Sequence, residues 1–515
     1  MELDLKREPV RDTTAIIRLR AVSEESGDVV VPDSLPDIIR IVETDAHIEL
    51  KNKELRGGKL YAEAVAHVSA VYVPETGGGL CRLAVSLPLS TVFDLGDAAE
   101  GSPQAILGAE LLSAAARELN PRKISVKAVC DFACAVYAAR EPEICTGVEN
   151  PDDAEIQTAA KRVRLTSGVY EKTLTVSDST ELAANAADCA EILKYDLAIK
   201  TVDSKQIKNK VILKGEAQIR MLTLGGTDEK KVQTTEAVIP FAGVIDCDGV
   251  TEESAVDLTY RVAGCELNIV TENGTNRPLL AAKLNLTVCA EAWEEREITY
   301  VSDAYSLQGR LTYETESIPF CTAGQTEELR QTGRETISTG VAIKNVYLCS
   351  VSAENSACRP TETGMEAAAD VKIKLILEAE DGGIYSLVKT AAVTAPLENK
   401  TEAAVSVTVS DQSYHISGSE DVEVRYTAAF RLTPERVEPI TQICAMHLED
   451  DDDADKRRPA LTLCYAGANE TFWTLGKRLG ASVAEIRSAN GLNGDCPPAG
   501  RLLLIPRGAR TEGRV

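Results

Sequence analysis

The chain has 515 residues, 44% apolar and 26% charged, and its 80 Asp and Glu against 55 Lys and Arg give a formal net charge of −25. So large an acidic excess argues against nucleic acid as a partner, because a phosphate backbone is bound by clustered Lys and Arg. No run approaches the ~20 apolar residues that a spanning helix needs, and the opening residues, MELDLKREPVRDTTAIIRLRAV, are charged throughout, so a cytosolic location is expected.

Aromatic residues make up only 4% of the chain, which leaves Val, Ile, Leu and Ala to build the cores and favours sheets. The length fits about three to five domains. The fourteen cysteines contain no Cys-x-x-Cys pair and are expected as buried, reduced thiols; Cys130 and Cys134 share a strand face, but a metal site would need two further ligands.

Residues 1–28 are polar, with one amphipathic patch at Ala15, Ile16, Ile17 and Leu19, and read as an N-terminal arm. In VVVPDSLPDIIRIV, Pro32 and Pro36 fix an extended or turning backbone. A plan of antiparallel strands then recurs over 29–148, 169–300 and 318–446. In the first stretch, strands are expected at 60–73, 85–93 and 123–136, with a turn at Gly77-Gly78-Gly79 and with Ile124, Val126, Ala128, Cys130, Phe132, Cys134 and Val136 inward. Residues 104–119, rich in Ala, Leu and Glu, favour helix by propensity, yet the matching place in the other two stretches is a strand, and strand is the expectation.

The second stretch has the clearest alternation, with Val211, Leu213, Ala217, Ile219 and Met221 on one face and Lys214, Glu216, Gln218 and Arg220 on the other. Strands through 238–245, 256–270 and 284–292 follow, with turns at Gly225-Gly226 and Asn273-Gly274. The third stretch repeats the order with 371–379, a turn at Gly382-Gly383, 393–397 and 422–432, and carries an insertion at 355–368 that reads as a solvated loop. Pro88, Pro240 and Pro396 cannot donate to a ladder and place the middle strand of each stretch at a sheet edge.

Residues 447–460, with six acidic residues followed by three basic ones, read as a solvated linker. The module 461–507 reads strand, helix, helix, strand, with Thr471 and Ser482 as helix caps and Gly480 and Gly491 as helix exits; 508–515 is a tail. From residue 456 onward there are ten Lys and Arg against four Asp and Glu, about +6 on a carrier of about −31.

No phosphate-cradling loop, zinc-protease motif or nucleophile elbow is present. His47, His67, His415 and His447 occur singly in the sequence, and His67 and His415 are expected as satisfied side chains on sheet faces. No catalytic residue, metal ligand or cofactor is assigned, and an enzyme is not expected.

The C-terminal module resembles a LysM domain. Asn469, Glu470, Thr471, Phe472 and Trp473 stand where that family has Gly-Asp-Thr-Leu-Trp, Asn490-Gly491-Leu492 matches its Asn-Gly-Leu, and Ile505-Pro506 closes it. The resemblance implies a ligand rim at Asn469, Glu470, Thr471, Gly491, Leu492, Asn493, Gly494 and Asp495, altered where Asn469-Glu470 replaces Gly-Asp. Three strand-rich stretches, opened by VPDSLPDII and followed by one LysM, resemble SPOCS-domain proteins of spore-forming bacteria. The fold so implied is mainly β: three tandem antiparallel SPOCS-like repeats, then a small βααβ LysM domain. The function so implied is scaffolding in spore-coat assembly, with the LysM capturing a SpoIVA-type coat-basement ATPase and with self-association through the repeats. The alternative is binding of peptidoglycan or another N-acetylglucosamine polymer. Lys477 and Arg478 are expected to supply electrostatic attraction to the partner.

Overall fold

The structure, a computed structural model, describes all residues except 1, 77–78, 100–102, 150–153, 183–188, 226–230, 272–277, 308, 323, 325, 363, 398–402, 435, 450–458, 460 and 507–515. The turns expected at Gly77-Gly78, Gly226 and Asn273-Gly274, most of the 447–460 linker and the tail lie outside the described residues.

Period-two alternation runs through most of the chain, and the backbone follows it into long strands. The first eight are β1 (Leu5–Pro9), β2 (Asp12–Val30), β3 (Ile38–Arg56), β4 (Lys59–Pro74), β5 (Cys81–Asp94), β6 (Gln104–Asn120), β7 (Lys123–Arg140) and β8 (Glu143–Val148). Then come β9 (Ala154–Glu181), β10 (Cys189–Ile207), β11 (Lys210–Gly225), β12 (Lys231–Asp246), β13 (Ala255–Thr271) and β14 (Pro278–Ser306). The last group is β15 (Arg310–Thr322), β16 (Glu327–Ser338), β17 (Ile343–Pro360), β18 (Met365–Ala379), β19 (Ile384–Leu397), β20 (Ala403–Ser417), β21 (Asp421–Pro434) and β22 (Val437–Glu449).

One connectivity occurs three times. Sheets β3-β4-β5, β10-β11-β12 and β17-β18-β19 are meanders, and each is backed by a sheet that joins the preceding strand to the following two: β2-β7-β6, β9-β14-β13 and β16-β21-β20. Each pair of sheets closes over its own apolar core. Leu60, Tyr72 and Phe132 are buried in the first, Ile219, Phe241 and Leu284 in the second, and Ile373, Leu375 and Phe430 in the third. The seven residues of β7 read as inward, Ile124 to Val136, are all buried. Pro88, Pro240 and Pro396 lie on β5, β12 and β19, the edge strands of the meanders. Residues 104–120 are the strand β6, because its Leu107 is needed to close the first core.

Two readings are corrected. Residues 12–30 are no arm: β2 runs antiparallel along β7 from Asp12 opposite Arg140 to Val30 opposite Lys123, with Ile17, Leu19 and Ala21 against the core and charged neighbours on the solvent side. Residues 355–368 are no solvated loop: they belong to the β17–β18 hairpin, in which a shift of register at Asn355 (φ 53°) absorbs the extra residues and Ala367 and Ala368 are buried.

The strands that lead into and out of each group also pair with one another. β1 pairs with β8, the start of β9 with the end of β14, and β15 with β22. β15 joins β9 where Cys321 meets Arg164, and the Leu3 amide donates to the Met446 carbonyl (3.0 Å), drawing the three pairs into one hub. Its interior holds Leu3, Val301 and Met446 on one side and Val163, Phe320 and Ile440 on the other. At the opposite side, Val71 and Leu80, Leu193 and Leu222, and Leu348 and Ile376 form an apolar junction where all three groups meet.

A candidate partner-binding module seated on the hub

After residue 460 the pattern changes from period two to helix, giving β23 (Leu461–Tyr465), α1 (Phe472–Leu479), α2 (Val483–Asn490) and β24 (Leu502–Pro506). Thr471 caps α1: its Oγ accepts from the Thr474 amide (3.1 Å), while the Thr471 amide donates to Thr474 Oγ (3.0 Å). Gly480 and Gly491 leave the helices at φ 65° and 60°, in the left-handed region where a side chain would be strained. Ser482 precedes α2 without a side-chain cap bond. Phe472, Leu475, Ile486, Leu503 and Ile505 form the small core.

Asn490 holds α2 to β24. Its Nδ2 donates to the carbonyls of Ile486 (2.8 Å) and Leu504 (2.6 Å), and its Oδ1 accepts from the Leu504 amide (2.8 Å). Asn490→Ala removes the partners of the Leu504 amide and carbonyl and should weaken the module by about 2–3 kcal/mol. Native-state hydrogen exchange of the β24 amides checks this; unaltered protection would refute it.

The eight rim residues are brought together, since the Phe472 amide donates to the Asp495 carbonyl (2.9 Å) and ties the loop before α1 to the loop after α2. Their states differ. Asn469, Gly491, Asn493, Gly494 and Asp495 are exposed, and Leu492 packs on the core. Thr471 is engaged in its cap. Glu470 accepts from the Gly467 amide (3.0 Å) and pairs with Arg478 (2.7 Å), and Asp495 pairs with Arg487 (2.9 Å).

Lys477 faces inward to the hub. With Trp473, one helical turn earlier on the same face of α1, it meets the outgoing end of β14. Asp303 receives Trp473 Nε1 (2.9 Å), Lys477 Nζ (2.5 Å) and the Tyr313 hydroxyl (2.8 Å). The Tyr305 ring meets Trp473 edge-on at 4.8 Å, and its hydroxyl donates to the Ala481 carbonyl (2.8 Å). A Cβ on Gly476 would collide with the Tyr305 hydroxyl and lie 2.7 Å from that same carbonyl, so a glycine is needed there for close approach. Burial alone would raise the Asp303 carboxyl, but the hydrogen bonds from Lys477, Trp473 and Tyr313 outweigh it and hold the pKa below the usual value.

Lys477 and Arg478, expected to attract a partner, are thus both paired within the chain. Asp303 and Tyr305, the hub residues that meet Lys477, Trp473 and the Ala481 carbonyl, were missed because strand alternation places them on one face without indicating what that face meets. His67 is satisfied on its sheet face as expected, by Glu49 (2.7 Å) and Ser86 Oγ (3.2 Å), and the hairpin places it opposite His47 of β3.

Residues 188–270 match the family model described as SipL, SPOCS domain, over β10 to β13 of the second six-stranded group. Over that stretch the chain resembles a SPOCS domain, and the protein it resembles there is SipL. No curated protein and no solved structure gives a match. Among the described residues no helix is long and apolar enough to cross a membrane.

Proposed function

We propose that the chain is a non-enzymatic scaffold of spore-coat assembly: three SPOCS-type repeats form a rigid body, and a LysM-type module seated on their hub captures a protein partner of the SpoIVA-type coat-basement ATPase class. The observation that carries the reading is the recurrence of one strand order in three groups, one of which holds the SPOCS match. The rim supports a protein ligand. Where the LysM family has Gly-Asp, Glu470 is locked to Arg478 and to the Gly467 amide, which leaves Asn469, Asn493 and Asp495 as the exposed polar groups. Such a scaffold works in the mother-cell cytosol at the forespore surface and needs no cofactor.

The competing reading, a binder of peptidoglycan or another N-acetylglucosamine polymer, rests on the commoner role of LysM domains. Two measurements separate them. Purified protein should not sediment with insoluble peptidoglycan, and sedimentation that disappears on deleting residues 461–515 would overturn the scaffold. In co-purification from sporulating cells, Asn469→Ala with Asn493→Ala should reduce recovery of the coat ATPase by about tenfold or more. Undiminished recovery moves the contact off this rim.

A further inference from the structure

Away from the module, the boundary between the first and second six-stranded groups holds a cluster of titratable side chains. His47 on β3 stands opposite His67 on β4, with ring centroids 4.9 Å apart and planes 23° apart. From β10 the Tyr195 hydroxyl lies 3.2 Å from Nδ1 and 3.1 Å from Nε2 of His47, the only hydrogen-bond partner of that ring among the described residues. His67 is held separately, by Glu49 at 2.7 Å and by Ser86 Oγ at 3.2 Å.

The surroundings mix both signs of charge. β3 contributes Asp45 and Glu49, β5 contributes Arg82, β10 contributes Lys194 and Asp196, and β13 brings the Cys265 thiol to the Tyr195 hydroxyl; Lys51 lies beyond Glu49, and Glu43 and Lys374 beyond Asp45. Asp45 is already paired with Lys194 (3.1 Å). Arg82 is already engaged, donating to Ser69 Oγ on the neighbouring β4 (2.8 Å) and across the boundary to the Ile192 carbonyl (3.4 Å). A proton on His47 would therefore place a new cation between Arg82 and the His67–Glu49 pair, with the nearby carboxylates already engaged.

We propose that the His47–His67–Tyr195 cluster is an acid-operated latch that holds the first six-stranded group against the second at neutral pH and lets go when His47 is protonated. Release uncovers the apolar junction, in which Val71 and Leu80 of the first group cover Leu193 and Leu222 of the second. Burial, then the neighbouring His67 and Arg82, lower the His47 pKa from 6.5 to about 4, against the opposing pull of Asp45 and Glu49. The sign follows from that depression: the open form binds the proton more readily than the closed one, so each pH unit between 6.5 and 4 favours opening by about tenfold. Above pH 6.5 the ring is neutral in both forms and the latch is insensitive to pH.

The test uses the full-length protein with 13C-labelled histidine Cε1. The chain has four histidines, and His415→Gln and His447→Gln, at exposed positions, assign the two surface resonances. The His47 resonance should titrate well below pH 6.5; a midpoint near 6.5 would overturn the proposal without recourse to any variant of the cluster. Hydrogen exchange corrected for intrinsic rates should show opening of residues 38–56 and 189–207 rising about tenfold per pH unit below 6.5. His47→Gln should flatten that profile, and an unchanged slope in this variant would equally refute the latch.

Discussion

Lys194→Ala should cost the protein about 1–3 kcal/mol, because it leaves two half-buried carboxylates without their counter-charge. Lys194 is only 3% exposed, and its Nζ lies 3.1 Å from Asp45 and 3.4 Å from Asp196, whose Oδ2 is already buried without a partner. Burial would raise the Asp45 carboxyl, but Lys194 and Lys374 more than offset this and hold it below 3.8. A lowered carboxylate contributes stability that is present above its unfolded pKa and is lost as pH falls through the lower folded value. In the variant that contribution disappears at neutral pH, and Asp45→Asn should restore part of it. Urea unfolding measures the loss. A change below about 1 kcal/mol would mean that water reaches the site and replaces the ammonium.

Asp303→Ala should free the helical module from the hub while leaving it folded. The carboxylate collects three donors from two elements, Trp473 and Lys477 on α1 and Tyr313 on β15. The Lys477 ion pair is partly exposed and adds little, so most of the roughly 2–3 kcal/mol at stake comes from leaving Trp473 Nε1 and the Tyr313 hydroxyl unsatisfied. The undocked fraction should rise about 30–150-fold at those energies. In a Trp293→Phe background, Trp473 fluorescence should shift to the red while α2 amides keep their protection. Unshifted emission would show that the Tyr305 contacts suffice alone. Reversal of Lys477 is a poor probe of partner binding for the same reason, since it would disturb the seat first.

What could be read from the chain divides along physical lines. Strands with one apolar and one charged face announce themselves, so β7, β11 and β21 were legible residue by residue, and the prolines located the edges. β6 was legible only through its counterparts, because Ala, Leu and Glu favour helix until a neighbouring ladder and core outweigh propensity. β2, β9 and β16 went unread because they combine a thin apolar stripe with dense charge, which looks like a solvated segment when the partner strand lies so far along the chain, as from Ser338 to Asp421 or from Ala154 to Ser306. In the module, caps and exits are local signals and were readable from Thr471, Gly480 and Gly491. The seat was not: the pairing of Trp473 and Lys477 with Asp303 spans about 170 residues, and nothing local to either segment encodes it. The histidine pair escaped for the same reason, as His47 and His67 become neighbours only through the register of a hairpin.

The closing of each group by its first and last strands has a consequence for synthesis. A nascent chain emerging from the ribosome completes β2 long before β7 exists to cover it, and β9 and β16 wait in the same way for β14 and β21. Each is thus a long, single, unzipped strand during translation, the kind of segment that recruits its own copies. The charges that hide these strands from a sequence reader, Arg18 and Arg20 on β2, Lys161, Arg162 and Arg164 on β9, Arg330 and Arg334 on β16, act as gatekeepers against premature pairing until the right partner has been made.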